Sequence, residues 1–339
     1  MREIIPLKVG VVGLSFGSWM IDQMIGHPAC RYFQIVAVCA LDHSLVSRVI
    51  ASHGFQGYDS LDAILRDSNI DVIFLCTGPH GRAALLRKII RAGKDVITTK
   101  PFEIDACEAK SVLAEALSLK RRIVLNSPGP RLTADLQKIC TCIRDYNLGR
   151  PIAARADTWC NYREINDDTW RDDAARCPLA PVFRIGIYLI NDLVQLFGDA
   201  SEVTTLQSRI VTQRPTPDNG QLGILFKNGC IANVFASFCI DDGQTYRNSL
   251  TLNFERGTIY RNVGFCNSSS RCVINVVTRD SCRSKHIGNF EFNELSGDYQ
   301  WKEFFDALHR SPNLLAESYN TIVSAVEVIE MMKSATACE

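Results

Sequence analysis

Lys100 is central to the run Thr98-Thr99-Lys100-Pro101-Phe102, where an apolar strand pattern over Asp95–Thr98 meets a proline. Proline holds the residue before it extended, which gives the Lys100 ammonium a fixed heading. Open α/β sheets bind their ligands at the carboxyl ends of their strands. An ammonium there can bind a substrate hydroxyl or lower the pKa of a neighbouring acid. The plain alternative is a surface lysine beside a turn. The preceding strand ends in Cys76-Thr77-Gly78-Pro79-His80, a tight turn able to lay its backbone against a ribose or nicotinamide. His80 is either a contact in that turn or a helix-start residue. A third segment, Leu7 to Gly17, runs an apolar strand into a glycine turn, with helical residues Ser18–Ile25 after it. Glycine permits the turn and close backbone approach, and a helix N-terminus offers free N–H groups to a pyrophosphate. The G-x-G-x-x-G pattern is incomplete: Ser15 and Ser18 stand where its second and third glycines fall, and a glycine sits at 17. An ordinary strand–turn–helix also fits such a run.

Placing these three segments at one edge requires alternating strands and helices, and the sequence supplies them. Phe33–Cys39, Asp71–Cys76, Asp95–Thr98 and Arg122–Asn126 read as strands. Ser44–His53, Ser60–Arg66, Arg82–Arg91 and Ala106–Leu119 read as helices. That rhythm predicts a parallel sheet with right-handed crossovers and helices on both faces, over residues 1 to 126. Thr133–Asp145 then reads as a helix. After it come β-rich runs at Pro151–Trp159, Glu202–Val211, Gln221–Phe226, Ile231–Phe238, Ser249–Phe254, Gly257–Tyr260 and Arg271–Val277. Turn signals such as Asp218-Asn219-Gly220 and Lys227-Asn228-Gly229 favour an open, mostly antiparallel sheet covered on one face. A helix over Val182–Leu196 interrupts the strands, and Tyr299–His309 and Ser318–Lys333 are helical. Gly264–Arg283, rich in Ser, Arg, Asn and Cys, has room for an irregular excursion beside the Arg271–Val277 run. The expected fold class is α/β: a Rossmann domain over 1–126, then an α+β substrate-binding and oligomerisation domain over 127–339. The C-terminal helix has the option of packing back on the first domain.

The chain has 339 residues, 46% of them hydrophobic, so two domains with ordinary cores are expected. Its 37 basic and 37 acidic residues cancel, which argues against nucleic acid as a partner. No apolar stretch reaches bilayer length, and a strand already under way at Lys8 leaves no room for a removable leader. The expectation is a cytosolic protein without membrane contact. None of the 14 cysteines forms a C-x-x-C pair, and Cys140 and Cys142 are separated by a single residue. Many, including Cys39, Cys76 and Cys239, lie in apolar runs. They are read as structural thiols, with no metal site.

Taken together, these segments resemble the Gfo/Idh/MocA oxidoreductases, which include glucose–fructose oxidoreductase and inositol dehydrogenase. The glycine turn, Cys76-Thr77 with Pro79-His80, and Ala92-Gly93-Lys94-Asp95-Val96 through Lys100-Pro101 fall in that family's order and spacing. Trp170-Arg171 resembles its W-R motif. Ile185-Gly186-Ile187-Tyr188, followed by Leu196-Phe197-Gly198, resembles its D-[IL]-G-[IV]-[HY] helix. The resemblance runs over nearly the whole chain. It implies hydride exchange between a nicotinamide and a carbinol or ketone, usually of a sugar or cyclitol. It makes Lys100 the catalytic lysine and Tyr188 the proton donor or acceptor. A phenol titrates near pH 10, and a neighbouring ammonium lowers that value. The cofactor contacts implied are Gly13, Ser15, Phe16, Gly17, Ala40, Leu41, Asp42, Cys76, Thr77, His80, Thr99, Lys100 and Pro101. Trp170 and Arg171 become substrate contacts. The resemblance also implies a homodimer or homotetramer through the second-domain sheet.

Three positions depart from the family pattern: Thr99 replaces its glutamate, Arg184 its catalytic aspartate, and Cys177-Pro178-Leu179-Ala180-Pro181 its glycine run. Arg184 has three readings: it grips a substrate carboxylate or phosphate, it marks a broken catalytic set, or it pairs with a nearby acid. The functions weighed are a dehydrogenase or ketone reductase whose substrate choice Arg184 shapes, a non-catalytic dinucleotide sensor that goes with a broken catalytic set, and an imine or acidic-carbonyl reductase that depends on Arg184 to hold a substrate carboxylate. Ala40 stands where the acid for a ribose 2′-OH is usual. NADP is therefore slightly favoured over NAD, although Asp42 is a candidate for the 2′-OH role.

Overall fold

The computed structural model describes residues 4–243, 246–264, 270–280 and 283–337. The chain begins β1 (Leu7–Val12), α1 (Leu14–Ile25), β2 (Phe33–Cys39), α2 (His43–His53), β3 (Gln56–Tyr58) and α3 (Leu61–Leu65). It continues β4 (Val72–Leu75), α4 (Arg82–Arg91), β5 (Asp95–Thr98), α5 (Ala106–Ser118) and β6 (Ile123–Leu125). These six strands pair in parallel in the order β3-β2-β1-β4-β5-β6. The order reverses between β1 and β4, and the ligand crevice of a doubly wound sheet opens at such a point. All of β4 and the last four residues of β1 are buried. Continuous apolar strands of this kind suit a sheet covered on both faces.

The second half contains α6 (Ala134–Asp145), β7 (Pro151–Trp159), α7 (Ile187–Phe197), β8 (Ala200–Ser208), β9 (Asn219–Phe226) and β10 (Ile231–Ser237). It goes on through β11 (Arg247–Phe254), β12 (Gly257–Arg261), β13 (Cys272–Asp280) and β14 (Arg283–Phe292). Then follow α8 (Trp301–His309) and α9 (Ala316–Ala337). Eight strands form one sheet in the order β14-β13-β12-β11-β7-β10-β9-β8. It is antiparallel except where β10 runs parallel to β7. Ala154, Ala156, Val234, Ala236, Leu222 and Ile224 line its buried face, whereas Ile231, Leu225 and Arg155 are exposed.

The chain divides into two compact units. One comprises residues up to Arg131 together with Tyr299–Asn320; the other comprises Leu132–Asp298 together with residues from Thr321 on. The later segment is bonded into the first unit. Tyr319 accepts the Ile123 amide proton at 2.8 Å, and Arg122 donates to the Arg310 carbonyl at 3.0 Å. Within the second unit a fully buried arginine, Arg261, lies between two fully buried carboxylates. Its Nη1 is 2.8 Å from Asp135 and 2.8 Å from Asp192. It thereby joins α6, β12 and α7.

Some boundaries differ from the sequence reading for local reasons. Helix α1 starts at Leu14, not Ser18. Gly13 makes the turn alone (φ +89°), and the Ser18 hydroxyl bonds back to the Leu14 carbonyl at 2.6 Å, inside the helix. The helix expected over Val182–Leu196 is a π-helical turn, Val182–Gly186, continuing into α7. The β-run expected over Arg271–Val277 is strand β13, which extends to Asp280; of the irregular excursion expected within Gly264–Arg283, residues 265–269 and 281–282 lie outside the described residues. Strand β14 has no apolar alternation to announce it, since most of its side chains are exposed or half-buried. No helix among the described residues is long and apolar enough to cross a membrane.

Candidate active site

In the first unit, the ends of β1, β2 and β4 are tied at the carboxyl edge. Gly13 donates its amide to the Cys39 carbonyl at 2.8 Å, and Cys76 donates to Val12 at 2.8 Å. A Cβ at Gly13 would stand 3.1–3.2 Å from the Cys76 carbonyl and the Thr77 nitrogen, so only glycine lets these turns meet. A Cβ at Gly17 would stand 3.2 Å from Val11 Cγ1. Gly17 thus gives the close helix-on-strand packing usually supplied by the third glycine of the fingerprint. The N-terminus of α1 has no side-chain cap and no acid in its first turn. Its leading N–H groups and dipole therefore suit an anion such as a pyrophosphate. Ser15 and Phe16 lie on that first turn, where Phe16 packs against Trp19 with ring centroids 5.5 Å apart.

Beyond β2, Leu41 is 98% exposed and Asp42 caps α2. Asp42 Oδ1 accepts the Ser44 and Leu45 amides at 2.9 and 3.1 Å and the Ser44 hydroxyl at 2.6 Å. These bonds, the hydroxyl foremost, hold its carboxyl below the usual range. Asp42 is thus engaged by its own helix.

Thr99 is buried and accepts the Tyr299 hydroxyl proton at 3.2 Å. Lys100 is half-buried, and the Lys100–Pro101 peptide is cis. His80 is half-buried in the turn before α4. Two residues on, Arg82 is almost wholly buried. Its guanidinium donates to the carbonyls of Thr77, Thr99, Pro101 and Phe102. Neither residue type nor spacing marks it in the sequence, since an arginine opening an amphipathic helix reads as a surface residue.

In the second unit Tyr188 occupies the first turn of α7 and is half-buried. Gly297 (φ +97°) lies flat against its ring: a Cβ there would fall 2.6 and 2.7 Å from Tyr188 Cε1 and Cδ1. The adjacent Ser296 hydroxyl donates to Asp192, one helical turn beyond Tyr188. Burial, with Asp135 adding to it, raises Asp192 to about 6 against the pull of Arg261.

Arg184 is fork-bonded to Glu164, Nη1 to Oε2 at 2.5 Å and Nη2 to Oε1 at 2.7 Å. Its guanidinium also lies 4.6 Å from the Phe238 ring centroid. Glu164 accepts in addition from Arg214 Nε at 3.0 Å. Burial works to raise the Glu164 pKa, but Arg184 and then Arg214 outweigh it and hold the carboxyl below the usual range. Arg214 also pairs with Asp167 at 2.8 Å and Asp172 at 2.6 Å, and Arg171 pairs with Asp167 at 2.7 Å. Trp170 packs edge-on to Phe183 at 6.2 Å. The fork that the sequence reading offered to a substrate anion is therefore bonded to Glu164. Arg171 belongs to the same ionic network. Glu164 was missed because an acid in a loop has no spacing to mark it.

An oxidoreductase family model with an NAD-binding Rossmann fold matches residues 7–127, and a GFO/IDH/MocA C-terminal domain model matches 136–260. The chain belongs to the Gfo/Idh/MocA family. An uncharacterized oxidoreductase of Schizosaccharomyces pombe is 28% identical over 218 residues, covering 62% of this chain and 57% of that protein. The trans-1,2-dihydrobenzene-1,2-diol dehydrogenase of Oryctolagus cuniculus is 33% identical over 168 residues, 49% of each chain. The matched stretch thus spans about half the length of these curated relatives. Among solved structures, a 3-ketoreductase from Actinomadura kijaniata, in complex with TDP-benzene and NADP, superposes with a TM-score of 0.72. It has 15% identity and 96% coverage of both chains, a likeness of fold. Arg184, the arginine at the position where the family resemblance expects an aspartate, is paired internally with Glu164.

Proposed function

We propose that the protein is an NAD(P)-dependent oxidoreductase that exchanges hydride with a carbinol or ketone of a small polar substrate, such as a sugar or cyclitol. The observation that carries this reading is the glycine cradle. Gly13 lies against the Cys76–Thr77 turn beneath an uncapped helix N-terminus, in a chain of this family. A nicotinamide dinucleotide bound there supplies the two-electron donor or acceptor. The chain's own residues then manage the proton. Tyr188 gives a proton to the oxygen of a carbonyl being reduced, or takes one from a carbinol being oxidised, and Lys100 stabilises the negative charge that develops. Trp170 shapes the wall of the substrate site.

The Arg184–Glu164 pair favours uncharged substrates, because a fork already bonded to a carboxylate has little left for another. Asp42 is engaged as a cap and Ala40 has no polar side chain, so no acid is reserved for a ribose 2′-OH. On that ground NADPH is favoured over NADH by a small margin. Exposed Ile231 and Leu225 on neighbouring strands β10 and β9 support a homodimer or homotetramer through the sheet.

The test is nicotinamide fluorescence on purified protein titrated with NADPH and NADH. A panel of keto-sugars, cyclitol ketones and trans-1,2-dihydrobenzene-1,2-diol follows, with carboxylated analogues included. Turnover of an uncharged member establishes the reading and the cofactor. Tight cofactor binding with no turnover across the panel transfers the case to a dinucleotide sensor. Preference for the carboxylated analogues would overturn the assignment of Arg184.

A further inference from the structure

Arg82 is 1% exposed, and the carbonyls it holds come from two separate turns. Thr77 lies after β4, while Thr99, Pro101 and Phe102 lie after β5. Two of its acceptors, Thr99 and Pro101, flank Lys100 directly. Converging carbonyl dipoles repel unless a cation sits among them, and a guanidinium's planar array of donors can serve several acceptors at once. Burial lowers the Arg82 pKa to about 10, with Glu103 working the other way, so the group is charged at neutral pH. Glu103 in turn accepts the Ala83 and Ile104 amides at 2.8 and 2.9 Å, which fixes the start of α4 to the same turn. Tyr299 holds Thr99 from the other side.

We infer that Arg82 is a positioning residue for Lys100: it binds the carbonyls on both sides of the lysine and ties the turns after β4 and β5 into one unit. The inference rests on the proposed role of Lys100 for its functional weight, but the placement stands apart from that role. A lysine at position 82 keeps the charge and loses the fork, so it cannot bridge both turns. Lys100 would then be free to shift, and misplacing a catalytic group by about 1 Å costs on the order of 100-fold in rate.

The experiment is ¹³C reductive methylation of the lysines, with the Lys100 resonance assigned by its loss in Lys100→Arg. The spectrum is compared among wild type, Arg82→Lys and Arg121→Gln, a control that removes a half-buried arginine bonded to the Gly93 carbonyl. The expected result is a folded Arg82→Lys whose Lys100 resonance moves to the position of solvated lysines, with the Arg121→Gln spectrum unchanged. On any panel substrate that turns over, Arg82→Lys should lose on the order of 100-fold in turnover. A folded Arg82→Lys with Lys100 at its wild-type resonance overturns the inference. If that variant does not fold, the wild-type guanidinium protons decide, assigned through their contacts with Pro101. Protection from solvent exchange is expected, and exchange at the rate of free arginine overturns the inference. Full turnover in Lys100→Ala would remove the catalytic role of Lys100 while leaving these spectra as the test of its placement.

Discussion

Gly297→Ala offers the sharpest test of Tyr188. The new Cβ would sit 2.6 Å from Tyr188 Cε1, and ordinary carbon contacts begin near 3.4 Å. The ring or the turn must therefore yield by about 0.8 Å. Gly297 is tethered through Ser296 to Asp192, so the ring is expected to take most of the movement. A displacement approaching 1 Å at a proton-transferring hydroxyl costs on the order of 100-fold in turnover, or about 2.7 kcal/mol of activation free energy. The backbone cost is separate: alanine at φ +97° loses roughly 1–2 kcal/mol of stability. Gly229 provides the control. Its φ is +86°, yet nothing lies within 4 Å of a Cβ placed there. Gly229→Ala should lower Tm by a few degrees, as Gly297→Ala does through strain alone, and leave turnover intact. The assay is steady-state turnover with the best panel substrate, beside thermal melts of both variants. Gly297→Ala in a Tyr188→Phe background should add little to the loss. If Gly297→Ala turns over within about threefold of wild type, Tyr188 does not carry the proton and the reasoning fails.

Three other outcomes are expected. Lys100→Ala and Tyr188→Phe should each lose about 10²–10⁴ in turnover while still binding NADPH, read by fluorescence titration. Glu164→Gln releases the Arg184 fork. It should make the enzyme sensitive to competitive inhibition by small carboxylates such as malonate, to which wild type should be indifferent; equal inhibition of both would refute the pairing argument. Asp192 is raised to about 6 from an unfolded value of 3.8. The cost of keeping it ionised is therefore present above about pH 6 and fades as pH falls toward 3.8. The stability difference between Asp192→Asn and wild type should change across that window in chemical denaturation and be flat above pH 7.

Much of the first unit was legible because parallel strands buried on both faces are apolar runs, and glycine and proline punctuate them. Lys100 and the Cys76–His80 turn were found from such punctuation. The helix start at Leu14 was misplaced because Ser18 has a cap's chemistry but spends its hydroxyl inside the helix. Arg82, Glu164 and Gly297 escaped for a different reason. Each acts through a partner distant in sequence, so neither residue type nor spacing marks it. Arg184 shows the limit most plainly: its replacement of the family's aspartate was visible, but its pairing with Glu164, 20 residues earlier, was not.

The first unit's two-part composition bears on how the protein is made. By the time Arg131 has left the ribosome, all six strands of the parallel sheet exist, yet the Ile123 amide and the Arg122 guanidinium still lack the Tyr319 and Arg310 groups they bond. About 190 residues separate Arg131 from Asn320, which at ~5–20 residues per second is roughly 10–40 s of synthesis. During that interval the edge strand β6 is an incomplete template, open to mispairing. The bonding at the edge of this sheet is therefore completed only once residues 310–319 have been made. A chain stalled or cut short before Tyr319 would leave an aggregation-prone edge rather than an independent nucleotide-binding module.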